Sequence, residues 1–350
     1  MVRRLFHSWL ATLCLGAVGG WLASKVGWPL PWVIGSLLSV LASRCGGYLV
    51  PEVPRGRQLG QLIVAVTIGC HFTWPVLQQV FMNLGVIVTA ILLTLLLAVL
   101  SVLVLYRWGV AFATAFFALM PANSTEMVHL GRQRQGDASF IAAAHSIRLL
   151  LILLAVPAAA TFSGSHAIMA AKAPVLWPWL ATILLAGWLV ALVFKRFDLP
   201  NPWTFGPFLV CAIVVGGNDL SVSMPDWMSG FGQLLIGCAL GSTFDRSFFR
   251  RAPAFLSKVL LLLIGSVIAT AAAAWLLGRL LGIPSLSLAL GMMPGSAPEM
   301  SLTAEALGLS VTLVTAMQII RMVLIQSACL PLYGWLERTV EAKPNLEVEP

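Results

Sequence analysis

Two acidic interruptions break otherwise apolar stretches of the chain. Residues 120–127 read MPANSTEM and residues 293–300 read MPGSAPEM, so a proline is followed five residues later by Glu126 or Glu299. A carboxyl group within an apolar stretch can take up and release a proton or bind a cation, and it is costly to retain there without a function. The two glutamates are therefore candidate sites for a coupling ion.

An arginine follows each glutamate at the same spacing. Arg148 and Arg321 each lie 22 residues after the glutamate, near the middle of the next apolar segment. A guanidinium group there could hold a substrate carboxylate or replace a bound cation. Alternatively, it could form a buried ion pair with the glutamate and so fix the interrupted segment to the next helix. The sequence leaves both interpretations open.

The interruptions also place small and polar residues ahead of a new helix. Asn123 and Ser124 in the first, and Gly295 and Ser296 in the second, can expose side-chain or backbone donors. The first turn of a helix has free N–H groups and the positive end of the helix dipole. Such a helix start favours an anionic or polar ligand.

A glutamine follows a glycine in an earlier apolar segment of each half, as Gly60-Gln61 and Gly232-Gln233. An amide within the membrane could bond to a substrate. It could also bond across helices beside a close glycine contact. We favour the structural role for Gln61 and Gln233 and keep both as candidate site residues.

The composition indicates what kind of protein positions these residues. Of the 350 residues, 59% are hydrophobic and 10% are charged, whereas soluble domains have about 25% charged residues. The chain is therefore expected to be an integral membrane protein. Its net charge of +8 comes from Lys and Arg at the ends of apolar segments, which indicates membrane topology and lipid contact and not a nucleic-acid surface. The six cysteines are scattered, and no metal or other cofactor is predicted.

The chain repeats itself. Four motifs recur in the same order at offsets of 171, 172, 173 and 173 residues: 29–35 with 200–206, 60–72 with 232–244, 120–127 with 293–300, and 147–148 with 320–321. Constant offsets in a fixed order indicate a tandem duplication. The predicted organisation is a first membrane repeat at 1–162, a periplasmic linker at 163–175, a second membrane repeat at 176–336 and a cytoplasmic tail at 337–350.

The basic residues predict the membrane topology, because cytoplasmic loops are enriched in Lys and Arg. The apolar segment 108–131 is flanked by Arg107 and Arg132, so it cannot cross once, and we expect it to turn back at Pro121. Each repeat then has five crossings and one re-entrant hairpin. Because a repeat with an odd number of crossings ends on the opposite side of the membrane from where it begins, the second repeat is expected to be inverted relative to the first. The predicted fold is an all-α polytopic membrane protein with two inverted repeats, about ten transmembrane helices and two re-entrant or broken helices.

These motifs resemble a known family. The P-x-x-x-x-E-M tips, the G-Q…G…F segments and the duplication are similar to those of AbrB-type membrane duplication proteins. The family pattern at the tip is closer to P-G-G-x-x-E-M, and the first tip here lacks glycine. The resemblance implies a protein of the bacterial inner membrane, and the topology implies that both termini are cytoplasmic. The family has been labelled both as a regulator of gene expression and as an ammonia monooxygenase.

Three functions are compatible with this resemblance. Inverted repeats with broken helices favour a secondary transporter or exporter of a small polar or anionic solute. A membrane sensor that influences gene expression indirectly is the alternative. A monooxygenase is disfavoured because the five histidines lack the spacing of copper ligands. We therefore expect that the protein is not an enzyme. The expected partners are the solute, with protons or Na⁺ as coupling ion, membrane lipids and a second copy in a homodimer, without direct nucleic-acid binding.

Overall fold

A computed structural model describes residues 9–48, 50–162, 174–199, 201–218, 220, 222–244 and 253–341. Within these ranges the chain forms fifteen α-helices and no β-strand, which confirms the predicted all-α fold. The helices are α1 Trp9–Lys25, α2 Pro31–Cys45, α3 Gly56–Gly69, α4 Trp74–Met82, α5 Leu84–Arg107, α6 Phe112–Leu119, α7 Ser124–Gln133, α8 Ala138–Phe162, α9 Trp177–Arg196, α10 Pro202–Asn218, α11 Asp226–Gly241, α12 Pro253–Leu281, α13 Ser285–Met292, α14 Ala297–Ala306 and α15 Val311–Glu341.

The described helices include membrane-spanning candidates of two lengths. Five helices, α5, α8, α9, α12 and α15, are long and apolar enough to cross a bilayer. Five others, α1, α2, α3, α10 and α11, have 14 to 17 described residues, fewer than the roughly 20 that a straight span requires. The protein is thus a helical membrane protein, and the number of ten crossings stays a prediction.

Six of the helices form one module. Helices α1–α3 and α9–α11 pack mainly against one another, and we call them the scaffold module. At its centre α3 crosses α11, where a Cβ atom on Gly60 would lie 2.8 Å from the carbonyl oxygen of Gly232. Close backbone approach at small residues is typical of helix packing in membranes. Equivalent residues of the two predicted repeats therefore meet at this crossing.

The other long helices form a second module. Helices α5–α8 and α12–α15 make up this hairpin module, in which α5 packs against α12 and the short helices pack against α8 and α15. Contact between the modules is much less extensive and involves mainly α3 with α14 and α15. Helix α4 belongs to neither module and contacts α10 of the first and α5 and α15 of the second. Each module contains helices from both predicted repeats.

The repeated proline motif has the same backbone geometry in both halves. Leu30 and Asn201 adopt the left-handed conformation, with φ of 51° and 45°, which side chains other than glycine and asparagine rarely adopt. Pro31 and Pro202 follow as the first residues of α2 and α10, where their fixed φ suits a helix start. The similarity of the two halves therefore extends to backbone conformation.

Several predictions concern residues outside the described ranges. They include most of the linker 163–175, the end of the tail at 342–350, the N-terminal residues 1–8 and most of the basic cluster after α11 at 245–252. The repeat boundaries, the inverted orientation and the cytoplasmic termini therefore stay predictions.

Candidate functional site

Both acidic interruptions break a helix, as predicted. Helix α6 is followed by an extended tip at 120–123 before α7 begins, and α13 by a tip at 293–296 before α14. Met120 and Met293 begin the tips with nearly the same dihedral angles, φ −59° and ψ 128° against φ −59° and ψ 136°. A proline follows each methionine, and the residue before a proline is held out of the helical region. The repeated Met-Pro pair thus explains both breaks.

Each broken helix folds back as a hairpin, and an equivalent hydrogen bond joins the two ends of the hairpin in each half. The amide of Asp137, after α7, donates to Thr114 Oγ1 in α6 at 3.0 Å. The amide of Ser310, after α14, donates to Ser287 Oγ in α13 at 3.4 Å. The hairpin expected within residues 108–131 is therefore present, the second half has its equivalent, and their re-entrant path through the membrane stays a prediction.

Arg148 holds the first tip through its backbone. From α8, its Nη1 donates to the Met120 carbonyl at 2.9 Å and its Nη2 to the Ala122 carbonyl at 3.4 Å. One turn earlier, His145 Nε2 lies 2.9 Å from the Phe117 carbonyl in α6 and donates to it. Both side chains are buried. The last helix of the repeat therefore fixes the position of the hairpin tip.

Arg321 holds the second tip in the same way. From α15 it donates through Nη1 to the Met293 carbonyl and through Nη2 to the Gly295 carbonyl, the latter at 2.8 Å. Gln318 takes the place of the histidine and donates to the carbonyls of Leu290 at 2.9 Å and Met293 at 3.1 Å. The Gln318 Oε1 also accepts a bond from Arg321 Nη2 at 2.6 Å. The second tip is thus held by more hydrogen bonds than the first.

The glutamates do not pair with these arginines. Neither Arg148 nor Arg321 forms an ion pair with a carboxylate of the described residues, and their Nη atoms bind tip carbonyls instead. Of the two interpretations from the sequence, the structure therefore shows fixation of the interrupted segment, but through backbone carbonyls.

A cavity of about 110 Å³ lies between the two modules at the hairpin tips. Residues of both tips line it on one side, and residues of α3, α10 and α11 line it on the other. Eight of the ten residues proposed from the sequence line this central cavity: Gln61, Asn123, Ser124, Arg148, Gly295, Ser296, Glu299 and Arg321. The structure therefore gathers these residues, which span both halves of the sequence, around one space.

The two glutamates occupy different environments. Glu299 lines the central cavity, is only 9% exposed, and has a buried Oε2 that forms no hydrogen bond with a described residue. The buried Oγ of Ser296, in the same tip, also has no partner within the described part of the chain. Glu126 is half-buried and is not among the residues that line the described cavities. The chemistry expected of both glutamates is therefore better supported for Glu299.

The two glutamines differ in the same way. Gln61 faces the central cavity from α3. Gln233, its equivalent in α11, donates to Ser229 Oγ at 3.4 Å and lies outside the cavity lining. This bond lies within α11 and not across helices, so it differs from the interhelical bond that we favoured for this position, and Gln61 stays a candidate ligand residue.

One cavity residue was not proposed from the sequence. Arg57, in the first turn of α3, lines the central cavity, as Glu299 does. Its side chain is exposed and makes no hydrogen bond with a described residue. In the sequence it belongs, with Arg55, to a basic pair at the start of an apolar segment, which is the usual mark of topology.

A second cavity of about 310 Å³ adjoins the first. Arg57 and Ser124 line both spaces, while Leu37 and Phe244 line only the second. At the equivalent positions of the other repeat, Phe208 and Phe72 instead pack edge to face, with ring centroids 4.7 Å apart. As far as the described residues show, the site is therefore more open toward the end of α11, which the basic residues predict to be cytoplasmic, and more closely packed at the opposite end.

The comparison with protein families agrees with this arrangement. The family model described as "Transition state regulatory protein AbrB" matches residues 32–337, which include both hairpins and all ten proposed site residues. The chain belongs to the AbrB family. The resemblance inferred from the tips and the duplication is thereby confirmed.

Two AbrB-family relatives cover most of the chain. "Uncharacterized protein YhjN" of Bacillus subtilis (strain 168) is 26% identical over 357 aligned residues, which cover 93% of this chain and 92% of the relative. A protein of Escherichia coli (strain K12) named "Putative regulator AbrB" is 24% identical over 301 residues, covering 84% of this chain and 86% of the relative. The similarity thus extends over both predicted repeats.

Proposed function

We propose that this AbrB-family protein is a secondary transporter or exporter of a small polar or anionic solute. The observation that supports this most directly is the central cavity, because both hairpin tips and both modules line it. Irregular backbone at membrane depth is tolerated where it lines a cavity or is buried in protein. Broken helices that meet at one site are typical of secondary transporters. The limited contact between the modules is compatible with their relative movement during transport.

The charges around the central cavity favour an anion over a cation. Arg57, Arg148 and Arg321 line it, and Glu299 is the acidic residue among its described lining. An excess of positive charge inside a membrane protein is costly unless a counter-charge is bound. A bound anion supplies that counter-charge. It can also accept bonds from the free N–H groups at the start of α7 and α14.

Glu299 is the proposed site of the coupling ion. Its Oε2 is buried and has no partner among the described residues, and an unpaired buried charge is strongly destabilising. A proton on Oε2, or a Na⁺ ion beside it, removes this cost. Transport that responds to the proton gradient or to the Na⁺ gradient distinguishes the two ions.

The remaining parts of the proposal concern location and partners. The protein lies in the bacterial inner membrane with both termini in the cytoplasm. It contacts membrane lipids, does not bind nucleic acid directly, and is not an enzyme. A homodimer is the assembly to test first.

A membrane sensor without flux is the second candidate. The family description and the name of the Escherichia coli relative both contain the word regulatory or regulator. In this alternative the same cavity binds a ligand, and the hairpin module passes the signal to a partner that acts on gene expression. No observation favours the third hypothesis, a membrane monooxygenase.

A flux experiment separates these candidates. Inverted membrane vesicles that contain the wild-type protein or Glu299→Gln are incubated with a cytosolic extract, and the accumulated solutes are identified by mass spectrometry. A transporter accumulates at least one solute in wild-type vesicles and not in the variant. If no solute accumulates although a ligand stabilises the purified protein, the transport proposal is wrong and the sensor is favoured.

A further inference from the structure

The three arginines of the central cavity differ in how their guanidinium groups are used. Arg148 and Arg321 each donate two hydrogen bonds to the carbonyl groups of a hairpin tip. Arg57 makes no hydrogen bond with a described residue, although it lines the same cavity. A guanidinium group has five N–H donors in a planar fork. Arg57 therefore has its full set of donors available for a ligand.

Arg57 lies where the two cavities adjoin. Together with Ser124, Leu149 and Leu240, it lines both the central cavity and the larger adjoining cavity. Its equivalent in the second repeat is Ser229, at an offset of 172 residues. Among the described residues that line the two cavities, this cation therefore has no counterpart at the equivalent position of the second repeat. This asymmetry does not follow from the helix packing, which is similar in the two repeats.

The size and lining of the central cavity restrict what can bind beside Arg57. Its volume of about 110 Å³ suits a molecule of a few non-hydrogen atoms. Apolar side chains, among them Leu149, Ile236 and Leu240, share the lining with polar ones such as Gln61 and Thr204. A ligand that pairs with Arg57 therefore needs one compact charged group and a short body with both polar and apolar surface.

We propose that Arg57 is the specificity-determining residue of this site and that the ligand is a small organic anion with a single carboxylate group. The proposal rests on the proposed function for the location of the site, and it narrows the ligand of that site. A carboxylate accepts two parallel N–H bonds from a guanidinium group in a bidentate arrangement. The first residues of the helices after both tips line the same cavity, and free N–H groups at a helix start can also donate to a carboxylate. Arg148 and Arg321 act as positioning residues that hold these tips.

Thermal unfolding of the purified full-length protein tests the proposal. The probes are sodium acetate and sodium lactate at constant ionic strength, with acetamide and lactamide as uncharged analogues of the same shape. We expect a saturable rise in Tm with at least one carboxylate and none with its amide. Arg57→Gln should weaken the apparent affinity roughly tenfold or more, because a charge-assisted bond is lost, and Arg57→Lys should retain part of it because it keeps the charge. Arg55→Gln, two residues away and outside both cavity linings, is the matched control and should respond like the wild type.

Three results would overturn the proposal. They are a wild-type protein that no carboxylate stabilises, an amide that stabilises as well as its carboxylate, and an Arg57→Gln variant with wild-type affinity. The flux experiment tests a different claim, so a negative result in one experiment does not imply a negative result in the other. Carboxylate binding that depends on Arg57 but gives no flux contradicts only the transport function, whereas flux that is unchanged in Arg57→Gln contradicts only the role of Arg57.

Discussion

Arg148 and Arg321 stand in the same relation to the two hairpin tips, since each donates to the first and third carbonyl groups of its own tip. Backbone atoms at a helix break have lost their intrahelical partners and must find others inside a membrane protein. The two arginines supply these partners from the following helix. They therefore fix the shape of the site that Glu299 and Arg57 are proposed to serve.

We expect Arg321→Leu and Arg148→Leu to destabilise the protein. Each substitution removes two hydrogen bonds to the tip, and it leaves the Ala122 or Gly295 carbonyl without its side-chain donor, at a cost of about 1–3 kcal/mol for the buried group. The measurement is thermal unfolding in detergent without ligand. Arg57→Leu serves as control because Arg57 makes no hydrogen bond with a described residue, and its Tm should stay near that of the wild type. An equal decrease in Tm for all three variants would contradict the conclusion that Arg148 and Arg321, but not Arg57, hold the hairpin tips.

The two glutamates should respond differently to the same substitution. Glu299→Gln removes a buried carboxyl group that faces the central cavity, so we expect solute accumulation in inverted vesicles to fall at least tenfold. Glu126→Gln alters a half-buried group outside the cavity lining and should retain most of the accumulation. If the two variants lose equal flux, the glutamates act as an equivalent pair, as the sequence alone predicts.

The crossing of α3 and α11 should not tolerate a larger residue. A Cβ atom on Gly60 would lie 2.8 Å from the Gly232 oxygen and 2.9 Å from Cγ1 of Ile236. We expect Gly60→Ala to lower the stability by about 1–3 kcal/mol, the usual cost of overpacking. Gly265→Ala in α12 is the matched control, because nothing lies within 4 Å of its added Cβ, and it should leave the Tm unchanged or raise it slightly. A drop in Tm of the same size in both variants would argue against the close crossing.

Thiol labelling tests which end of the site is open. Val128 lines the second cavity, whereas its equivalent Ser301 is fully buried. In a background without the six native cysteines, Val128→Cys should react with a membrane-impermeant reagent in inverted vesicles, and Ser301→Cys should stay unlabelled from either side. Reaction of Val128→Cys only in right-side-out vesicles would contradict the predicted orientation.

Much of the fold could be predicted because it depends on local chemistry. The Met-Pro pairs break the helices wherever they occur, so the hairpins and their tips follow from residues 120–127 and 293–300. The duplication appears directly as constant spacing. Helix α4 could not be predicted as a separate helix, because Trp74–Met82 is a short, mostly apolar segment directly before the next membrane helix.

The site was predicted only in part because its remaining features depend on tertiary packing. Glu126 and Glu299 have the same local sequence context, and the packing of α14 against α3 buries only the second. The carbonyl partners of the arginines lie 26 to 28 residues away in sequence, with nothing in the side-chain pattern to indicate them. Arg57 has the spacing of an interfacial anchor, and only the three-dimensional arrangement brings it to the cavity.

The interleaving of the two halves has a consequence for biogenesis. Helices α1–α3 leave the ribosome long before α9–α11, yet these six segments pack into a single unit. Helices α1–α3 therefore remain in the lipid without their partners until α11, which ends at Gly241, has been translated. A chain truncated after α8 has incomplete versions of both units, so quality-control proteases should degrade it even though it has inserted a full set of hydrophobic segments.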